Sequence, residues 1–151
     1  MFKVAELIRL NLELVIERIE TALRDFPQVA GAYLFGSVLE ACRPDSDIDL
    51  GLILEPEIKP DSTEGDRLEA AIAFSLPPVE MHPFDLVFLN PEKPIFVFRV
   101  IKEGRLIYCR NRDRVTDVIE YVSRRYADLY PRYRTALEEI IGEVMAGELR
   151  P

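Results

Sequence analysis

The stretch that decides the fold runs from residue 29 to residue 54 and reads VAGAYLFGSVLEACRPDSDIDLGLIL. Its first seven residues form a short apolar run bounded by Pro27 and Gly36, which is typical of a strand buried on both faces. After a brief helical turn, Pro44 forces the chain out of helical geometry, and residues 48–54 have the composition of a second strand. The predicted plan is therefore strand, tight turn, strand.

Two aspartates stand at the start of the second strand. Asp47 and Asp49 are two residues apart, so both carboxylates point to the same face, whereas Ile48 and Leu50 point into the core. Such carboxylates repel each other unless a cation lies between them, and hard oxygen ligands suit Mg²⁺ or Mn²⁺. The pair therefore indicates a site for a divalent metal.

A third carboxylate, Asp85, lies in an otherwise apolar strand predicted at residues 84–89. An unpaired carboxylate would be costly to bury there. If this strand runs beside the second one, Asp85 completes a triad with Asp47 and Asp49. The alternative is an ordinary ion pair between Asp85 and an arginine.

The turn after the first strand carries possible donors to a phosphate. Gly36 leaves room for a phosphate to approach the backbone, and amides at the start of a following helix can donate to it. The Ser37 hydroxyl adds one more donor, and Ser46 precedes the aspartate pair as a further candidate nucleotide-binding residue. Taken singly these features have plain structural explanations, because Gly-Ser is common in loops and Ser-Asp often caps a turn.

Helices and strands alternate around this region. The other predicted elements are helices at 4–24, 63–74 and 95–102 and a short strand at 106–108. At about 112–149, two amphipathic helices separated by Pro131 are predicted to pack on the core. We therefore expect one domain, residues 1–151, of the α+β (α/β-like) class, with a small mixed β-sheet, flanking helices and a C-terminal helical pair.

Composition narrows the class of protein. The net charge of -8 and the pI of about 4.8 argue against a protein that coats nucleic acid, because phosphates would be repelled. Cys42 and Cys109 have no paired spacing, so they indicate neither a disulfide scaffold nor a zinc site, and a reducing cytoplasm is the simplest setting. The charged N-terminal residues exclude an uninterrupted apolar signal or membrane span there.

The combination of motifs is more specific than any one of them. Gly36-Ser37 after a strand, Asp47-x-Asp49 on the next strand and a later third aspartate resemble the minimal nucleotidyltransferases of the DNA polymerase beta superfamily. The segment from Ile95 to Tyr108 and the C-terminal helices are similar to small prokaryotic members, many of which are antitoxins paired with HEPN-domain toxins. One departure is that residues 38–44 lack the Arg-Gly pair that usually follows Gly-Ser in the family.

The resemblance implies a polymerase-beta-type fold and a reaction. Asp47 and Asp49 would bind Mg²⁺ or Mn²⁺ ions that grip the triphosphate of ATP, and Asp85 would join the second metal and help to deprotonate the acceptor hydroxyl. AMP would pass to a hydroxyl on a partner protein such as a HEPN toxin, with loss of pyrophosphate.

Other interpretations stay open at this point. The chain could be an antitoxin that neutralises its HEPN-type partner by contact alone, with little or no turnover. Transfer to a small molecule or to RNA is less favoured, because no extra substrate domain follows the core. The sequence also leaves a homo-oligomer open, and it favours a structural role for the lone His82, which precedes a proline.

Overall fold

The architecture is a mixed four-stranded sheet with helices on both faces, seen in a computed structural model that describes residues 7–147. The strands are β1 (Val29–Phe35), β2 (Ile48–Leu54), β3 (Phe84–Phe88) and β4 (Arg105–Cys109). The helices are α1 (Leu12–Leu23), α2 (Thr63–Phe74), α3 (Pro94–Glu103) and α4 (Arg112–Met145), with a 3₁₀ turn at Gly36–Leu39. The predicted α+β class with a small mixed sheet and flanking helices is confirmed.

Strand order fixes where the candidate residues meet. The order is β3-β2-β1-β4, in which β1 is antiparallel to both β2 and β4, and β2 is parallel to β3. The end of β1 therefore lies beside the beginnings of β2 and β3, all at one edge of the sheet. The Gly-Ser turn and all three aspartates belong to this edge.

The sheet separates two apolar cores, and this separation decides which way Asp49 points. Leu50 and Leu52 of β2 pack with α1 and α2 on one face, whereas Ile53 packs with α3 and α4 on the other. Because side chains alternate along a strand, Asp49 points to the face of α3 and α4. The burial of Ile48 and Leu50, each with 0% exposure, confirms that these neighbours turn into the core.

The helix predicted at residues 4–24 begins only at Leu12. The prediction is therefore wrong for residues 7–11. The backbone amide of Ile8 donates to the Cys42 carbonyl at 2.8 Å, and the Cys42 amide donates back to the Ile8 carbonyl at 2.7 Å. Asn11 then caps α1 by accepting from the amide of Leu14. Ile8 had helical spacing because it also faces the core, but it does so from an extended segment. Residues 4–6 of this prediction lie outside the described residues.

The two C-terminal helices predicted around Pro131 are one helix of 34 residues, α4. The rings of Tyr126 and Tyr130 stack along the helix with centroids 4.9 Å apart, and the Thr135 hydroxyl donates to the Pro131 carbonyl at 2.9 Å. The helix therefore continues through Pro131 although proline donates no backbone hydrogen bond. Residues 131–147 are exposed, so this half of α4 does not pack on the core as predicted. Residues 148–149 of the prediction are outside the described range.

No helix within residues 7–147 is both long and apolar enough to cross a lipid bilayer.

Candidate functional site

Asp49 and Asp85 are direct neighbours across the parallel strands β2 and β3. Residues paired in this way point to the same face of a sheet, so both carboxylates lie on the face of α3 and α4. The condition set from the sequence, that the strand of Asp85 runs beside the strand of Asp49, is met. Asp85 is exposed and Asp49 is half-buried, which leaves both accessible from solvent.

Asp47 precedes β2 and is exposed. The pKa of the Asp49 carboxyl is raised above its ordinary value. Burial is the largest cause, followed by the negative charge of Asp85 and then by that of Asp47. Two of these three causes are like charges. The three aspartates predicted from sequence therefore form one electrostatic cluster at the edge of the sheet, with Asp49 at its centre.

Gly36 lies against the Asp49 carboxylate. Phe35 is the register partner of Asp49 across β1 and β2, and Gly36 follows with a φ of +76°, a conformation that side chains rarely allow. A Cβ added at Gly36 would collide with the Asp49 carboxylate oxygen Oδ2. The space left by this glycine therefore accommodates the carboxylate itself, whereas the sequence pattern had suggested only room for a phosphate. Ser37 follows and is exposed.

Ser46 shapes the loop before the aspartate pair. Its hydroxyl accepts a hydrogen bond from the Arg43 amide at 3.0 Å, and its own amide donates to the Arg43 carbonyl at 3.1 Å. These bonds close a tight turn that delivers the chain to Asp47. A nucleotide-binding role for Ser46 stays a prediction, and the hydroxyl keeps its proton available for donation.

His82 holds the same loop by a buried contact. The sequence predicted a structural role for this residue without naming the contact. The ring is buried, with 1% exposure, and Nδ1 donates to the Ser46 carbonyl at 2.7 Å. The Ile48 amide donates to the Pro83 carbonyl at 2.8 Å. The chain is therefore held at both neighbours of Asp47, Ser46 and Ile48. The turn that delivers His82 has positive φ at Glu80 and Met81, which side chains adopt at a cost. Only the position of a lone histidine before a proline could have signalled this contact.

The donor set fits a hard divalent cation in its chemistry. Carboxylate oxygens are the ligands that Mg²⁺ and Mn²⁺ prefer, and a cation would relieve the mutual repulsion that raises the pKa of Asp49. As positioned, no group of three or more His, Cys, Asp or Glu side chains between residues 7 and 147 converges closely enough to hold a metal. Asp47 and Asp85, both exposed, would have to turn toward Asp49 to ligate the same ion.

Asp49→Asn should make the folded protein more stable at neutral pH. The folded-state pKa of Asp49 is raised, so the folded state holds this proton more tightly than the unfolded state, and the free energy of unfolding falls as pH rises through the shifted pKa. Asparagine removes that penalty. We expect a gain of at most about 1 kcal/mol near pH 7, because the half-exposed group is screened by solvent.

This gain should shrink as pH falls toward about 4, the ordinary pKa of an aspartate. Urea unfolding at several pH values measures it, with Asp45→Asn as the control because Asp45 is an exposed acid in the neighbouring turn. An equal gain at every pH would contradict the electrostatic origin.

Two comparisons with known proteins bear on this site. The sequence model of the family described as "Polymerase beta, Nucleotidyltransferase" matches residues 17–113, which include the Gly-Ser turn and all three aspartates. This match covers more than half of the chain. Among proteins with curated descriptions, none matches this sequence.

Solved structures share the fold at low sequence identity. A toxin–antitoxin complex described as MntA-HepT contains a chain that is 22% identical, with a TM-score of 0.55, covering 88% of this chain and 98% of that one. A tri-AMPylated HEPN toxin from Shewanella oneidensis in complex with its MNT antitoxin matches with 23% identity, a TM-score of 0.55 and the same coverages. A toxin–antitoxin structure with AMP-PNP matches with 21% identity and a TM-score of 0.53, covering 90% and 99%.

Proposed function

This chain belongs to the polymerase beta family of nucleotidyltransferases, and we propose that it transfers AMP from ATP to a hydroxyl group on a partner toxin of the HEPN class. Mg²⁺ or Mn²⁺ is the proposed cofactor. The free thiol of the exposed Cys109 suits a reducing cytoplasm, which is the proposed setting.

One observation carries the proposal: Asp49 and Asp85 are register neighbours on parallel strands, and Gly36 packs against the Asp49 carboxylate. A structural aspartate in such a position is usually neutralised by a basic side chain or by backbone donors. Here the influences that shift the Asp49 pKa are burial and two further carboxylates, and all of them disfavour its charge. An arrangement that concentrates uncompensated negative charge at a surface edge is suited to bind a cation together with a polyphosphate.

Each aspartate has a proposed role. Asp47 and Asp49 bind the cation that carries the triphosphate, and they orient the α-phosphate toward the acceptor. Asp85, on the neighbouring strand, accepts the proton of the incoming hydroxyl, so that its oxygen attacks the α-phosphorus and pyrophosphate leaves. A divalent cation held by these carboxylates would supply charge stabilisation to the phosphoryl transfer. His82 and Ser46 keep Asp47 in register by fixing the loop before it.

The partner and the nucleotide are proposed from the solved structures of similar fold. One of these structures is a HEPN toxin that carries AMP and is bound to its MNT antitoxin, and another contains AMP-PNP. This chain covers almost the whole length of both similar chains. It can therefore act on the same kind of acceptor without an additional substrate-binding domain. The proposed acceptor is therefore a protein hydroxyl and not a small molecule or RNA.

A second function is favoured by the loop after Ser37. Val38 in this loop is buried, with 2% exposure, and no cation stands where the family usually has its Arg-Gly pair. A loop that contributes apolar packing in place of a cation grips phosphate less firmly. The alternative is therefore an antitoxin with weak or no turnover that neutralises its HEPN-type partner by direct contact.

A labelling experiment separates the two functions. The purified protein is incubated with Mg²⁺, a HEPN-domain protein of the same organism and ATP labelled either at the α- or at the γ-phosphorus. Transfer of AMP predicts label on the partner from α-labelled ATP only, and a mass increase of one AMP group per modified site. Toxin neutralisation without α-label would select the contact function instead.

A further inference from the structure

The second half of α4 projects from the domain with an uncovered apolar stripe. Tyr126 still stacks on Phe98 of α3, with ring centroids 3.9 Å apart, but residues 131–147 are all exposed. The stripe comprises Tyr126, Tyr130, Tyr133, Leu137, Ile140 and Val144. Ile140 and Val144 are 50% and 54% exposed, which is high for side chains of this kind.

The spacing of the stripe is that of a helix seam. Successive members are four, three, four, three and four residues apart, which is the repeat that packs one helix along another in a coiled coil. A solitary helix gains little stability in water without packing of its apolar face. The stripe therefore indicates that a second helix packs on it. The charges of the projecting segment indicate which helix this is.

The projecting segment is divided into two halves of opposite charge. Four arginines and one aspartate between residues 124 and 134 give a net charge of +3, and three glutamates between 136 and 146 give -3. Parallel packing of two such helices would place the two basic segments side by side and the two acidic segments side by side. Antiparallel packing opposes each basic half to an acidic half, which favours association of two copies in that orientation.

The stripe is also symmetric about Thr135, as an antiparallel pair requires. A two-fold axis at that level places Tyr133 on Leu137 of the second copy, Tyr130 on its Ile140 and Tyr126 on its Val144. Arg134, close to the axis, is already paired with Glu138 of its own chain at 2.9 Å. The two Arg134 side chains therefore need not meet as unpaired charges.

A pocket at the base of the stripe suits the end of the second helix. It lies between α3 and α4, where Arg99, Lys102 and Glu103 give its lining a net charge of +1 beside the rings of Phe98, Tyr126 and Tyr130. The same symmetry brings Val144 and the C-terminal end of the second α4 to this pocket. A helix C-terminus carries partial negative charge, and Glu143 adds a full one, so Arg99 and Lys102 complement it.

We propose that two copies of this chain associate through an antiparallel pairing of the α4 segments 126–146, with each helix end seated between α3 and α4 of the other copy. The proposal is independent of the transfer activity, since the aspartate cluster lies on β2 and β3 and takes no part in the contact.

Light scattering after gel filtration tests the association. The purified full-length protein should have twice the chain mass of 17.4 kDa at micromolar concentration. Leu137→Lys, in the centre of the stripe, should give a monomer with unchanged circular dichroism of the domain. Thr135→Lys, the same new charge on the outer face of the same helix, should remain a dimer. A monomeric wild type, or equal behaviour of the two variants, would overturn the proposal.

Spin-label distances test the orientation. Labels are placed singly at Thr135→Cys and at Ala146→Cys in a Cys109→Ser background, in which the remaining Cys42 is buried. The antiparallel pair predicts no separation along the helix axis between the two labels at position 135. It predicts an axial separation of about 33 Å between the two labels at position 146, from the rise of 1.5 Å per residue. Short distances at both positions would indicate a parallel pair and contradict the charge argument. If the wild type is monomeric and Leu137→Lys weakens capture of a HEPN-domain protein, the occupant is that partner and the proposal fails.

Discussion

Asp49→Asn is expected to lower the rate of AMP transfer by roughly a hundred- to a thousandfold, the range found when one preorganised charge-stabilising group is removed from an active site. Asparagine keeps the shape of the side chain but loses the negative charge at the centre of the aspartate cluster. The fold should survive, because the same substitution removes an electrostatic penalty of the folded state. Loss of rate with retained or increased stability is a combination that a purely structural aspartate would not give.

The control for this prediction is Asp45→Asn, which makes the same change of net charge in the adjacent exposed turn. Its transfer rate should stay within about twofold of the wild type, as expected for surface changes away from the site. Asp85→Asn should resemble Asp49→Asn, because the two carboxylates are register neighbours. If Asp49→Asn kept more than a tenth of the wild-type rate, the cluster would not be the catalytic centre.

Gly36→Ala has the second largest expected effect, and it should impair both stability and activity. The new Cβ would collide with the Asp49 carboxylate, and the backbone has a φ of +76°, where a non-glycine residue costs roughly 1–2 kcal/mol. The carboxylate must then move away from its position against the turn. We expect a drop of about 2 kcal/mol in the free energy of unfolding, and a transfer rate reduced tenfold or more even well below the melting temperature.

Two further variants make this prediction specific. Gly142→Ala is the matched control, because a Cβ there meets nothing within 4 Å and alanine in a helix interior is favoured by about 0.5–1 kcal/mol. Asp49→Gly in the Gly36→Ala background removes the colliding carboxylate. It should recover part of the lost stability, leaving the backbone cost alone, and none of the activity. Additive losses in the double variant would show that the two residues do not interact.

The local part of the candidate site could be predicted from the sequence. Asp47 and Asp49 follow from their spacing at the head of a strand, and the burial of Ile48 fixed which way they point. The neighbour relation of Asp49 and Asp85 could be stated only as a condition, because it depends on the pairing of strands separated by α2. The contact between Gly36 and the Asp49 carboxylate could not be predicted for the same reason, because it forms between residues of two paired strands, β1 and β2.

The errors in the fold came from reading each segment in isolation. The helix predicted from residue 4 starts late because Ile8 pairs with Cys42 in a distant loop, which no local pattern reveals. Pro131 predicts a helix end, whereas α4 continues through it with the rings of Tyr126 and Tyr130 stacked along its surface. His82 makes its decisive contact with Ser46, 36 residues earlier in the chain. At Ile8 and at His82, a contact with a distant part of the chain outweighed the local pattern.

Calorimetric titration of ATP with Mg²⁺ tests the central claim most directly, because it needs neither the acceptor nor turnover. The wild type should bind ATP only when Mg²⁺ is present, and Asp47→Ala/Asp49→Ala should lose that binding while retaining its folded circular dichroism. Equal binding by both proteins, or no Mg²⁺-dependent binding by the wild type, would contradict the assignment of the aspartate cluster as a site for a metal-bound nucleoside triphosphate.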